Sequence, residues 1–177
     1  MPRHVFANSN TTLRATWPAL AMSLALGATA PGAYAQASQP PSKEVAALLA
    51  QHYSGYAAGS NPKAIFAQTT HANWSNCSAN GARCQSRDEL VGLLSQGLHK
   101  LVPDMKWDIL DTLVSGDTVI VRGQGSGTPV DTLFGAPARG KSFQIMSIDI
   151  HTLKDGKIAH THHLEDWVSA LAQLTEP

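Results

Sequence analysis

From residue 42 onward, apolar residues recur first at helical spacing and later at strand spacing. Val45, Leu48, Leu49, His52, Tyr53 and Tyr56 share one helical face, and Ser42, with Glu44 in the first turn, is placed to cap that helix. Asn61-Pro62 predicts a second, brief helix ending near Thr70, with proline at the first position, where its missing N–H costs nothing. Ser86 and Glu89 form a capping box ahead of Leu90, Leu93, Leu94, Leu98 and Leu101, a third helix stopped by Pro103. Beyond Pro103 the period drops to two. Met105, Trp107, Ile109, Asp111 and Leu113 alternate along one strand, and Ser115-Gly116-Asp117 turns the chain. Residues 118–122 open a β-branched strand that continues through Gly123, Gly125 and Gly127, glycines that signal a bend or a close backbone approach. Residues 129–141 read as a long loop. Residues 142–153 and 157–164 are the arms of a hairpin turned at Asp155-Gly156, because a type I′ turn needs positive φ at both central positions. Trp167, Leu171 and Leu174 suggest a short closing helix. Helices first and antiparallel strands later predict an α+β domain, with helices packed on one face of a curved sheet.

The start of the chain reads as an export signal. Arg3 and Arg14 without acidic residues, an apolar stretch over residues 17–30 and Ala33-Tyr34-Ala35 match the parts of a cleavable signal peptide. Residues 1–35 are therefore expected to be removed, leaving a linker over residues 36–41 and one domain over residues 42–177. The destination is periplasmic or secreted. No apolar run reaches the roughly 20 residues of a membrane-spanning helix. The chain has 13 basic and 13 acidic residues, and loss of Arg3 and Arg14 leaves the remainder slightly acidic. Such a balance, without a basic run, argues against nucleic acid or an anionic membrane as the main partner and favours a small neutral or weakly charged molecule. Cys77 and Cys84 are the only cysteines. In an oxidising compartment they pair as a disulfide; a redox or metal dithiol would call for Cys-x-x-Cys spacing.

Chemistry concentrates near the end. Of eight histidines, His151, His160, His162 and His163 crowd the hairpin, bracketed by Asp149 and Asp166. Carboxylates and imidazoles brought together move protons near neutral pH, and they also ligate metals. Asp149 shares a face with Phe143, Ile145, Ser147 and His151 by period-two alternation. A carboxylate on so apolar a face is either a tuned acid/base or a structural group bonded to backbone or histidine. His160 and His162 share the other arm's face with Ile158, while Thr161 and His163 point away.

Several segments, in order, resemble the SnoaL-like polyketide cyclases, also called ester cyclases. These are Pro103-Asp104-Met105-Lys106-Trp107, then residues 116–122, Gly127-Thr128, residues 134–141, Asp149-Ile150 and Asp155-Gly156-Lys157-Ile158, with His71-Ala72-Asn73-Trp74 earlier. The family lies within the superfamily shaped like nuclear transport factor 2 and ketosteroid isomerase. The resemblance implies a cone-shaped, curved antiparallel sheet closed by N-terminal helices around a deep pocket. It also implies an aspartate acid/base that works without metal or organic cofactor. This chain departs from the family pattern at Pro129, where a histidine is common, at His160-Thr161-His162, where Glu-His-Trp is common, and at Thr152, where an arginine is common.

The resulting expectation is a cofactor-free acid/base protein acting on a small apolar or carbonyl-containing molecule. Asp149 would move the proton, and His160 or His162 would bond the developing enolate oxygen. His71, Trp74, Trp107, His151, His163 and Asp166 are the further pocket candidates, with an N-cap role competing at Asp166 and core packing at Trp74. A non-catalytic binding module of the same fold is the alternative. A third reading makes His160-x-His162, with Asp149, His151 or Asp166, the ligands of a catalytic zinc. Finally, Ser142, Gln144, Met146, Ile148, Ile150 and Thr152 alternate on the face opposite Asp149, a row too apolar to face water comfortably. It predicts a homodimer through that face, with cover by the loop at residues 129–141 as the rival.

Overall fold

The computed structural model describes residues 39–78 and 80–176; the expected signal peptide, residues 1–35, lies outside them. The elements are α1 (Lys43–Ser54), α2 (Pro62–Thr69), β1 (Thr70–Ser78), β2 (Cys84–Ser86), α3 (residues 87–101), β3 (Lys106–Ser115), β4 (Thr118–Gly127), β5 (Phe143–Lys154), β6 (Lys157–Glu165) and α4 (Trp167–Thr175). The strands form one open sheet in the order β2-β1-β6-β5-β4-β3.

Local signals set the element ends. The Ser42 side chain accepts from Val45 N–H, Asn61 accepts from Ala64 N–H ahead of Pro62, and Ser86 and Glu89 complete the capping box. Each cap satisfies donors that the first helical turn leaves without partners. Asp155 and Gly156 both have positive φ, 49° and 71°, as the hairpin turn requires. Within α3 the residues Leu93–Leu98 widen into one π-helical stretch instead of the regular helix expected.

Two further features differ from the sequence reading. Residues following α2 form strand β1, and β1 runs parallel to β6, so the sheet is mixed rather than wholly antiparallel. The pairing joins Ser75 to His160 and Cys77 to His162, partners far apart in sequence that leave no local periodic trace. Gln39, expected in a linker, instead exchanges two backbone hydrogen bonds with Val114 at the end of β3.

The core lies between the inner sheet face and the helices. Leu49, Tyr53 and Tyr56 from α1 and its C-terminal turn meet Phe66, Trp74, Leu90, Leu94, Trp107 and Ile158, all buried. A Cβ on Gly125 would lie 2.7 Å from the Trp107 ring, so the glycine lets β4 pass directly beneath the indole. Cys77 and Cys84 are cross-strand partners of β1 and β2 and are joined by a disulfide.

Candidate active site

The inner face of β5 carries Phe143, Ile145, Ser147, Asp149 and His151, all buried, as the alternation predicts. On β6 the alternation is interrupted. Thr152 pairs with His160 but Leu153 pairs with Ile158, so Ala159 is an extra, bulged residue. One extra residue exchanges the two faces of everything beyond it. Ile158, Thr161 and His163 therefore point inward, whereas His160 and His162 stand beside Thr152 and Ile150 on the outer face. The expected placement of His160 and His162 in the pocket is corrected by this single bulge.

Asp149, 2% exposed, accepts from Tyr53 Oη through Oδ2 at 2.6 Å and from His163 Nδ1 through Oδ1 at 2.5 Å. A directional chain of bonds arrives from the other side. Trp74 Nε1 donates to Thr161 Oγ1 at 2.9 Å, and Thr161 lies 2.9 Å from His151 Nδ1. His151 Nε2 lies 3.0 Å from Tyr53 Oη. Because the Tyr53 proton goes to Asp149, the consistent tautomer has His151 Nε2–H donating to Tyr53 and Nδ1 accepting from Thr161. His151 is then neutral. Burial, and secondarily the nearby His163 charge, pushes its pKa down to about 4 against the pull of Asp149.

His163 is the opposite case. Burial by itself would lower its pKa, but the Asp149 charge, the bond to Asp149 and the bond to Glu165 overcome that and lift it to about 10. Burial would raise the Asp149 pKa; His163, His151 and Tyr53 together hold it below the ordinary carboxylate value. At neutral pH His163 is thus an imidazolium between two carboxylates. Its Nε2 lies 3.0 Å from Glu165 Oε1, and Glu165 Oε2 accepts from Trp167 Nε1 at 2.6 Å.

His163 and Glu165 line an inner chamber of about 140 Å³ with Tyr56, Asn76, Gln85 and Trp107. The same chamber walls continue into an outer cleft of about 650 Å³. The chamber is smaller than the roughly 300–1,000 Å³ of a complete ligand pocket, so it suits one end of a ligand whose remainder lies in the cleft. Asn76 Oδ1 is buried at this wall without a hydrogen-bond donor. Phe134, 61% exposed in the loop after β4, packs on Trp167 with ring centroids 5.0 Å apart and closes one side of the mouth. Phe134 brings that loop to the wall of the cleft.

Of the sequence candidates, Trp107 and His163 line the chamber. Asp149 stands one layer behind His163, and His151 and Trp74 lie deeper in the relay. His71 lies elsewhere, its Nε2 2.7 Å from Lys154 O beside the hairpin turn. Asp166 caps α4, accepting from Ser169 N–H. Asp149 and His151 face inward, away from His160 and His162, and among the described residues no three histidine, cysteine or acidic side chains are placed to hold a metal ion. The zinc arrangement of three protein ligands is not formed there. Glu165, Asn76 and Gln85 were not among the sequence candidates, and Tyr53 and Tyr56 stood there only as positions on one face of the first helix. Glu165 alone left a signal, two positions from His163 on the same strand face.

The model of the SnoaL-like polyketide cyclase family matches residues 49–174. No functionally curated protein matches the chain. Among solved structures, TsrD from Streptomyces laurentii is 22% identical with a TM-score of 0.64, covering 78% of this chain and 100% of its own. IdmH from Streptomyces antibioticus, described as a candidate polyketide cyclase, is 20% identical with a TM-score of 0.65, covering 75% and 99%. A protein of the same description from Bacillus cereus is 27% identical with a TM-score of 0.59, covering 78% and 93%.

Proposed function

The chain belongs to the SnoaL-like polyketide cyclase family, and from that premise we propose that it performs cofactor-independent acid/base chemistry, of cyclase, isomerase or lyase type, on a small carbonyl compound. The observation that carries this reading is His163, bonded between Asp149 and Glu165 at the wall of a chamber that is otherwise largely apolar, an arrangement that favours its imidazolium.

A substrate carbonyl oxygen entering the chamber would replace Glu165 as the acceptor of His163 Nε2–H. The displaced Glu165 carboxylate then removes a proton from the adjacent carbon, and the imidazolium stabilises the enolate oxygen where charge develops. The enolate carbon attacks a second carbonyl of the same molecule and the resulting alkoxide takes the proton back from Glu165, giving ring closure, or the enolate takes that proton at another carbon, giving isomerisation. Asp149 reaches the substrate only through His163, so the proton-handling role expected of it becomes one of charging and orienting that ring. The orphaned Asn76 carbonyl suits a hydroxyl or N–H donor on the ligand.

The test is a screen of di- and tricarbonyl compounds with wild type, His163→Gln and Glu165→Gln. Loss of turnover in both variants with retained ligand binding is the expected result; full turnover in either sinks the assignment. A second reading, a non-catalytic binding module, is favoured by one feature: in the resting structure both His163 nitrogens and both Glu165 oxygens already have partners. Binding without turnover of any compound, unchanged in both variants, selects it.

Two proposals concern setting. The Cys77–Cys84 disulfide is compatible with an extracellular location, and no helix among the described residues is long and apolar enough to cross a membrane. We assign the mature chain to the periplasm or exterior after cleavage behind Ala35; N-terminal sequencing of protein from that fraction checks it. The outer sheet face exposes Leu113, Ile120, Met146, Ile150 and Leu164, an apolar area that supports a homodimer through this face.

A further inference from the structure

The outer sheet face carries a second cluster that the acid/base reading does not use. The bulge at Ala159 that turns His163 inward also turns His160 and His162 outward, side by side. Their Nε2 atoms lie 3.2 Å apart, and the rings meet edge to face with centroids 4.6 Å apart. We propose that this pair is a binding site for one borderline divalent transition ion, of the Cu(II) or Zn(II) class, separate from the cavity.

The geometry fits an ion held by both Nε2 atoms. With metal–nitrogen distances of about 2.0–2.1 Å, two nitrogens 3.2 Å apart subtend roughly 100–105° at the metal, near the tetrahedral angle. The first ligand is already oriented. His160 Nδ1 lies 2.7 Å from Ser75 Oγ on the neighbouring strand, and an Nδ1–H donated to that hydroxyl leaves Nε2 with its lone pair outward. The second ligand, His162, is half-buried beside Gly81, and its Nδ1 is buried without a partner. In the ion-free state one Nε2–H must point at the other Nε2 lone pair. Binding therefore requires the His162 proton to move from Nε2 to Nδ1, with no net change in protons; the new N–H meets no acceptor there, a cost that the metal–nitrogen bonds must exceed.

The surroundings admit a cation. The paired positions are Ser75 and Thr152 beside His160, and Cys77 and Ile150 beside His162, none of them positively charged. Among the described residues no third histidine, cysteine or carboxylate joins the pair, so water completes the shell. Such an open two-imidazole site should follow the order in which Cu(II) binds more tightly than Zn(II). It stands or falls independently of the acid/base chemistry, because it shares no side chain with the chamber.

The experiment uses the exported chain without a histidine tag, titrated with Cu(II) and with Zn(II) by calorimetry, together with electron paramagnetic resonance of the Cu(II) form. Wild type is expected to take one ion per chain, with hyperfine coupling to two imidazole nitrogens and a raised melting temperature. His160→Gln and His162→Gln should each abolish that binding, while Ser75→Ala weakens it about tenfold through loss of ring orientation. His71→Gln and His99→Gln should leave it intact. Circular dichroism melts confirm that each variant is folded. Absence of stoichiometric binding to wild type overturns the proposal. So does binding that survives in both His160→Gln and His162→Gln, or a Cu(II) spectrum showing fewer than two imidazoles.

Discussion

Replacing Asp149 with asparagine isolates the charge that holds the site. The side chain keeps its shape, and the amide oxygen can still accept from Tyr53 Oη, now 2.6 Å from Asp149 Oδ2. The amide N–H2 then faces His163 Nδ1 where a carboxylate oxygen stood, which favours the neutral ring. In wild type the folded His163 pKa is raised from 6.5 to about 10. A raised pKa gives stability that is complete below about pH 6.5 and lost as pH rises toward about 10. At 1.36 kcal/mol per unit, the shift bounds the contribution at about 5 kcal/mol. Removing one member of a buried ion pair typically costs about 3–5 kcal/mol. Retention of the Tyr53 bond and of Glu165 beside His163 places Asp149→Asn at about 3 kcal/mol near pH 6. The Asp149 pKa is depressed below 3.8, so wild type also loses stability as pH falls below about 4, a limb absent from the variant. Denaturant unfolding of both proteins at pH 4, 6, 8 and 10 measures this. The expected difference is greatest near pH 6 and shrinks toward pH 10. A difference that stays constant across that range, or one below about 0.5 kcal/mol at pH 6, refutes the buried ion pair.

Gly125→Ala should destabilise by about 1–3 kcal/mol, because its Cβ would lie 2.7 Å from the Trp107 ring, and a thermal melt with near-ultraviolet dichroism will report both the loss and the displaced indole. Cys77→Ser with Cys84→Ser opens a small loop, for which about 2 kcal/mol is expected; an unchanged melting temperature under oxidising conditions contradicts this. Met146→Lys with Ile148→Lys should convert a dimer to a monomer by light scattering, and an unchanged mass beside a monomeric wild type removes the outer-face interface. Tyr53→Phe keeps the helix packing but leaves one Asp149 oxygen without its donor, so about 1–3 kcal/mol of stability should go.

What the sequence determined was whatever depends on near neighbours. Ser42, Asn61 and Ser86 start helices because a cap bonds to donors two or three residues away. Asp155-Gly156 turns the hairpin for the same local reason, and the uninterrupted alternation along β5 put Asp149 on the buried face. The glycines of β4 announced a close approach, although not that Trp107 makes it. Tertiary structure decided the rest. β1 exists because β6, some eighty residues later, offers it a parallel edge, and no local pattern encodes such a partner. The bulge at Ala159 arises where two strand registers must be reconciled, and it alone sends His163 to the cavity and His160 and His162 to the exterior. The Asp149–His163–Glu165 arrangement follows from it. Its charges come from burial and mutual distance, quantities that belong to the folded chain and not to the order of its residues.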